Sequence, residues 1–180
     1  GDGGACFTNN DELAEKIRRI SVHGQEKRYY HTEIGINGRL DSIQAAILLA
    51  KLEFYNLELE KRSKLADYYA KSLKSAGLNS TPFICPENKS VYAQYTIQVQ
   101  NRSDFQKNLK TFGIPTSIHY PTILPLQPAL KAMDNTEEIK SEYKNAYYAS
   151  QKVLSLPFHP WMKFNEVDYI VSKIKKINNN

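Results

Sequence analysis

The stretch Asp41–Phe54 (Asp-Ser-Ile-Gln-Ala-Ala-Ile-Leu-Leu-Ala-Lys-Leu-Glu-Phe) constrains this chain most, because at helical spacing it is apolar around most of its circumference. A helix of that kind has no natural water-facing side, so it predicts burial almost all round. A second, more charged helix is expected over 57–76, with Leu65, Tyr69 and Leu73 as its inner stripe and Gly77 as its stop. Upstream, Leu13, Ile17 and Ile20 share one face of a helix over 11–22, which Asn9 or Asn10 can cap and Gly24 can end. Before it, Ala5-Cys6-Phe7-Thr8 reads as a short strand. Residues 25–39 break the periodicity and read as a loop carrying Tyr29, Tyr30 and His31 outward.

The pattern changes near residue 78. Loops rich in Asn, Ser and Pro precede an alternating strand over 91–99, with Val91, Ala93, Tyr95, Ile97 and Val99 on one side. A helix over 103–112 follows, ending at Gly113, then a strand over 115–119, a helix over 136–150, a strand over 153–156 and a helix over 165–177. Elements alternating in this way make an α/β layer with helices covering a small sheet. The domain division expected is therefore 1–77 and 78–180. The tyrosines Tyr68, Tyr69, Tyr143, Tyr147 and Tyr148 stand at helical spacing and are expected in the core.

With 180 residues and 41% hydrophobic content, the chain can bury a core, and its composition excludes disordered and collagen-like classes. No run approaches the ~20 apolar residues of a membrane helix, and no charged-then-apolar leader opens it, so a cytoplasmic protein is expected. The chain opens on Gly1-Asp2-Gly3-Gly4 without Met and reads as the middle of a longer protein. Cys6 and Cys85 lack partners at metal spacing and are expected as reduced thiols. The formal charge of +5 suits anionic partners without choosing among them. No aromatic RNA-binding strand or zinc-finger spacing supports nucleic acid.

Three motifs carry chemistry. Gly1-Asp2-Gly3-Gly4 is either a phosphate-cradling loop or a tight turn, and neither GxGxxG nor GxxxxGK[ST] accompanies it. Gly35-Ile36-Asn37-Gly38-Arg39-Leu40-Asp41 places an uncharged donor and a guanidinium fork just before a helix, with Asp41 or Ser42 as its cap. The fork suits a carboxylate or phosphate, although a turn Asn and a surface ion pair explain the same residues. His119-Tyr120-Pro121 ends a strand, a usual place for site residues. His23 and His31 have no partner at i+4 for a metal pair, and His159, between Pro157 and Pro160, reads as a rigid-loop residue.

In order along the chain, Gly1-Asp2-Gly3-Gly4-Ala5, Asn10-Asp11-Glu12-Leu13-Ala14, His23-Gly24, Gly35-x-Asn37-x-Arg39-Leu40-Asp41 with Gln44-Ala45-Ala46, His119-Tyr120-Pro121 and Leu156-Pro157-x-His159-Pro160 resemble the DegT-type, pyridoxal-phosphate-dependent sugar-nucleotide aminotransferases. Gly24-Gln25 with Tyr29-Tyr30-His31, Val91-Tyr92-Ala93-Gln94-Tyr95-Thr96 and Pro115-Thr116-x-x-His119 bring it nearest to those that aminate a UDP-linked 2-acetamido-3-oxo-glucuronate. The resemblance implies an aspartate-aminotransferase-like fold (fold type I), of which this chain holds the end of the large domain and all of the small C-terminal α/β domain. It also implies a homodimer with shared active sites, pyridoxal 5'-phosphate as cofactor and glutamate as amino donor. The Schiff-base lysine and the aspartate facing the pyridine nitrogen are expected upstream of Gly1, leaving no catalytic residue at the family positions in this chain. By the same resemblance, Asn37 reaches the cofactor phosphate of the neighbouring subunit. Arg39 meets the sugar carboxylate, and His119, Tyr120, Tyr30 and His31 line the sugar-nucleotide pocket. A pyridoxamine-phosphate-dependent dehydratase of the same fold and a cofactor-free basic binding domain are the alternatives.

Overall fold

The computed structural model describes residues 3–130 and 135–178, and the chain divides into two compact units, 1–55 and 56–180. Division by compactness thus falls between Tyr55 and Asn56, whereas the change in sequence pattern lies near residue 78.

In the first unit, α1 (Asp11–Ser21) starts where the Asn10 side chain accepts from the Leu13 N–H at 3.0 Å. Acidic Asp11 and Glu12 sit in its first turn and basic Arg18 and Arg19 in its last, matching the helix dipole. His23, in the left-handed region at φ 66°, ends the helix, while the Gly24 N–H donates back to the Arg19 carbonyl at 2.8 Å. Gly24 is therefore not simply a stop. A Cβ there would lie 1.7 Å from the Glu33 carbonyl oxygen, and one on Gly35 would lie 2.1 Å from the Gly24 nitrogen. The two glycines let two backbone segments cross in contact, which no larger residue permits. Between them runs a hairpin of β1 (Gln25–Lys27) and β2 (Tyr30–His31), turned at Arg28 and Tyr29, where an irregular loop was expected. Ala5–Thr8 form no strand, and Phe7 is exposed.

The two helices expected over 41–54 and 57–76 are one continuous helix, α2 (Ser42–Ser75). The residues between the two patterns, Tyr55 and Asn56, contain no glycine or proline to interrupt the backbone ladder. Its first part is not buried as expected: Ile43 is 79% and Leu49 67% exposed. Its second part behaves as the pattern requires, with Leu65, Tyr69 and Leu73 buried. The helix closes when the Leu78 N–H donates to the Leu73 carbonyl and the Gly77 N–H to that of Lys74, a Schellman turn.

That second part packs into the core of the second unit. Here β3 (Tyr95–Gln98) pairs antiparallel with β4 (Val153–Leu156), placing Tyr95 opposite Leu156 and Ile97 opposite Leu154. Phe105 and Leu109 of α3 (Arg102–Thr111) join them, as do Val167, Ile170 and Ile174 of α6 (Phe164–Asn178). Tyr69 stacks on Tyr95, with centroids 4.9 Å apart, and its hydroxyl donates to the Pro157 carbonyl at 3.0 Å. The β3 strand is shorter than expected because Val91 and Ala93 are exposed, and segment 115–119 makes only a bridge, Ser117 to Ser155. The helix expected over 136–150 is two, α4 (Thr136–Glu142) and α5 (Lys144–Lys152). Of the five tyrosines expected inside, Tyr69 alone is buried; Tyr68 and Tyr147 are half-buried, and Tyr143 and Tyr148 are exposed.

Candidate functional site

Within the first unit, the end of α1 acts as a template for the segment that carries Asn37 and Arg39. The Ile36 N–H donates to the Ile20 carbonyl, the His23 N–H to that of Ile36, and the Gly38 N–H to that of Ser21, all at 2.8–2.9 Å. Asn37 bridges Val22. The backbone is thereby pinned on both sides of Asn37, while the side chains of Asn37 and Arg39 are left in solvent. Arg19 adds a second anchor, donating from Nε (3.1 Å) and Nη2 (2.9 Å) to one oxygen of Glu33.

Tyr30 and His31 lie on β2 of the hairpin. His31 Nδ1–H donates to the His23 carbonyl at 2.9 Å, which selects the Nδ1–H tautomer of the neutral ring. The Lys27 ammonium lies 5.0 Å from the Tyr30 ring centroid. The structure thus ties Tyr30 and His31, through His23, to the segment of Asn37 and Arg39. Gly3 and Gly4 are exposed, and the phosphate-cradle reading of Gly1 and Asp2 lies outside the described residues.

His119 and Tyr120 belong to the second unit. Their rings meet edge-on at 5.5 Å, with Tyr120 70% exposed. His119 Nδ1 is 2.8 Å from Ser155 Oγ, which is in turn 2.8 Å from Thr96 Oγ1. His119 lines two cavities. One, of about 760 Å³, is apolar and includes Ile123, Leu124 and Tyr143, while the other, of about 220 Å³, includes Ser155 and Phe158. Sequence reasoning missed Ser155 and Thr96. The available signal was a hydroxyl inside the apolar run Val153-Leu154-Ser155-Leu156, where a buried polar group requires a partner.

Among the described residues, no cluster of three His, Cys, Asp or Glu side chains could hold a metal, and no helix is long and apolar enough to cross a membrane. What the first unit offers is an exposed amide and an exposed guanidinium on a rigid backbone, a donor set suited to a phosphate and a carboxylate.

The model of the DegT/DnrJ/EryC1/StrS aminotransferase family matches residues 1–175. The chain belongs to that family. Family membership agrees with the fold, since a DegT DnrJ EryC1 StrS aminotransferase from Brucella abortus superposes with a TM-score of 0.80 at 36% identity, covering 97% of this chain and 46% of that one. In sequence the chain is 46% identical to the UDP-2-acetamido-2-deoxy-3-oxo-D-glucuronate aminotransferase of Pseudomonas aeruginosa, over 97% of this chain and 46% of the relative. NtdA from Bacillus subtilis, solved with bound cofactor PMP, matches with a TM-score of 0.75 at 25% identity, covering 96% of this chain and 41% of that one. The DegT-family chain described here therefore spans about half the length of the relatives it matches.

Proposed function

We propose that this chain forms part of a pyridoxal-phosphate-dependent aminotransferase that moves an amino group from glutamate to a keto sugar nucleotide. The substrate proposed is UDP-2-acetamido-3-oxo-glucuronate, and the setting is surface polysaccharide or glycan biosynthesis in the cytoplasm. When bound, the cofactor supplies the electron sink that makes amino transfer feasible. The fit of this chain to it is a matter of donors. Asn37 presents its amide from a backbone pinned to α1, suited to the cofactor phosphate across a homodimer. The Schiff-base lysine and the aspartate at the pyridine nitrogen are assigned to sequence other than these 180 residues. Residues 1–77 would then close the large domain, and 78–180 would form the small one.

The observation that carries the acidic-sugar reading is the exposed Arg39 guanidinium beside that pinned segment. A planar fork pairs with a carboxylate through two parallel hydrogen bonds, which a lysine cannot reproduce. Tyr30, His31, His119 and Tyr120 would complete the sugar-nucleotide pocket. The exposed Ile43, Ile47, Leu49 and Leu52 of α2 support a covering subunit, because apolar rows of that length are seldom left in water.

The test is to take the whole enzyme, record the visible absorbance of its cofactor before and after glutamate, and then measure the acceptor reaction with Arg39→Lys. Glutamate should convert the cofactor to its pyridoxamine form. The substitution should raise KM for the acidic sugar about tenfold or more while changing that for a neutral analogue by less than about twofold. Equal losses for both sugars would sink the role of Arg39, and a cofactor band indifferent to glutamate would sink the donor.

A further inference from the structure

The histidine at the strand end is held by a row of hydroxyls whose direction can be worked out. Ser155 is buried on β4, and both of its backbone groups are committed to Ser117: its N–H donates to the Ser117 carbonyl at 2.8 Å, and its own carbonyl accepts from the Ser117 N–H at 3.2 Å. Among the described residues, its hydroxyl meets side chains alone. Thr96, its partner in the β3–β4 register, lies 2.8 Å away on one side and His119 Nδ1 2.8 Å away on the other.

A hydroxyl has one proton to give, so the row runs in one of two senses. If Nδ1 carried hydrogen and donated to Ser155, Ser155 would donate to Thr96, and the proton of half-buried Thr96 would have to turn out of the row toward solvent, since no side chain or carbonyl among the described residues accepts it. If Thr96 donates to Ser155 and Ser155 to Nδ1, every proton in the row has an acceptor. The imidazole hydrogen is then on Nε2. His31 is held in the opposite state, since the carbonyl it faces can only accept.

We propose that Ser155, backed by Thr96, is a positioning residue that holds His119 as its Nε2–H tautomer, so that His119 meets the sugar nucleotide as a hydrogen-bond donor. The ligand atom it would recognise is an acceptor oxygen, of a carboxylate, hydroxyl or phosphate group. The two cavities that His119 lines give the ring the access this requires. The inference rests on the reading that His119 lines the sugar-nucleotide pocket, and its test separates the two.

Nitrogen NMR of the imidazoles in the ¹⁵N-labelled whole enzyme, taken above the ordinary histidine titration range, reads the tautomer directly. The His119 signals are those that His119→Gln removes. Wild-type His119 should show Nε2–H, Ser155→Ala should give averaged nitrogen shifts, and Ser155→Thr should retain the wild-type pattern because it keeps the hydroxyl beside a cavity with room for the methyl. In the whole enzyme, Ser155→Ala should raise KM for the keto sugar nucleotide about tenfold with kcat within about twofold, and Ser155→Thr should restore it. Nδ1–H in the wild type overturns the row without needing any variant to fold. A tautomer unmoved by Ser155→Ala does the same. Loss of the tautomer with KM unchanged overturns the donor role and, with it, the placement of His119 in the pocket.

Discussion

In the unit formed by residues 56–180, Tyr69, Leu109, Leu154 and Ile174 are sealed from solvent, and two strands and parts of three helices converge on them. In the unit formed by residues 1–55, α1 contains no buried residue, and Ile43, Ile47, Leu49 and Leu52 of α2 stand open. One helix passes through both regimes, with Leu49 uncovered and Leu65 covered on the same backbone. The contrast shows that apolar periodicity declares a face meant for covering without saying what covers it. The second unit supplies its own cover. The first is organised instead by backbone hydrogen bonds, the Gly24–Gly35 crossing and the Arg19–Glu33 ion pair, and these hold its candidate site residues in place without a buried core among the described residues.

The largest effect expected should separate the two regimes outright. Leu154→Ala removes a side chain with no exposure, and denaturant unfolding of the 180-residue chain should show a loss of about 3 kcal/mol. Leu49→Ala on the open part of α2 should change the same measurement by less than about 0.5 kcal/mol. Similar losses at both positions would break the comparison. Next comes Gly35→Ala, whose Cβ would lie 2.1 Å from the Gly24 nitrogen and 2.5 Å from the Ile20 carbonyl oxygen. Neither backbone atom can move aside cheaply, so about 2 kcal/mol should be lost from the crossing. Hydrogen exchange should quicken at His23, Ile36 and Gly38 while Ile97 and Leu154 keep their protection, because the damage stays in the unit that lacks a core.

Most of the second unit was legible in the sequence because its signals are self-contained. The stripe Leu65, Tyr69, Leu73, the pair Phe105 and Leu109 and the strand 153–156 all bury what their spacing says they should. The failures there were of extent. Val91 and Ala93 continue the strand alternation but pair with no strand among the described residues, and 115–119 meets β4 at one bridge, through the two Ser155 backbone groups that face away from β3. In the first unit, the periodicity of Asp41–Phe54 correctly gave a helix and wrongly gave its burial, since burial is a property of the neighbours. The hairpin went unread because its strands span three and two residues, too short to display alternation. Asn37 and Arg39 stood out as residue types, but the pinning that makes them a site is carried by main-chain atoms, which residue identity does not report.

A subtler contrast lies between two stacked tyrosines in the same core. Burial holds both the Tyr69 and Tyr95 phenols well above the usual tyrosine range, with the neighbouring Tyr95 and Glu166 adding to the first, and Tyr92 and Asp67 to the second. A raised folded-state value means that the neutral phenol is favoured in the fold. Its contribution to stability is complete below about pH 10 and is lost as pH rises from there toward the raised values. Unfolding free energy should therefore fall above about pH 10, and the fall should be shallower in Tyr95→Phe. At neutral pH the two phenylalanine variants should differ. Tyr69→Phe gives up the bond to the Pro157 carbonyl and should cost about 1 kcal/mol. The Tyr95 hydroxyl is buried without a partner among the described residues, so Tyr95→Phe should be neutral or stabilising by up to about 1 kcal/mol.

The smallest effect belongs to the ion pair that ties the segment before Gly35 to α1. Arg19 offers both nitrogens to one Glu33 oxygen, and the two side chains remain about a third and a quarter exposed, so water and salt weaken the attraction. Glu33→Gln keeps an acceptor and removes only the charge, and about 0.5 kcal/mol should be lost at low ionic strength, less as salt is added. Global unfolding follows the core of the second unit and would hardly register it. The sensitive observable is exchange at Thr32, whose N–H donates to the Gly24 carbonyl at 3.0 Å directly beside the crossing. Faster exchange there in Glu33→Gln, with no further quickening when Arg19→Gln is added, would show that charge helps seat the segment carrying Asn37 and Arg39. Exchange indifferent to both changes would leave the seating to the backbone bonds and the two glycines alone.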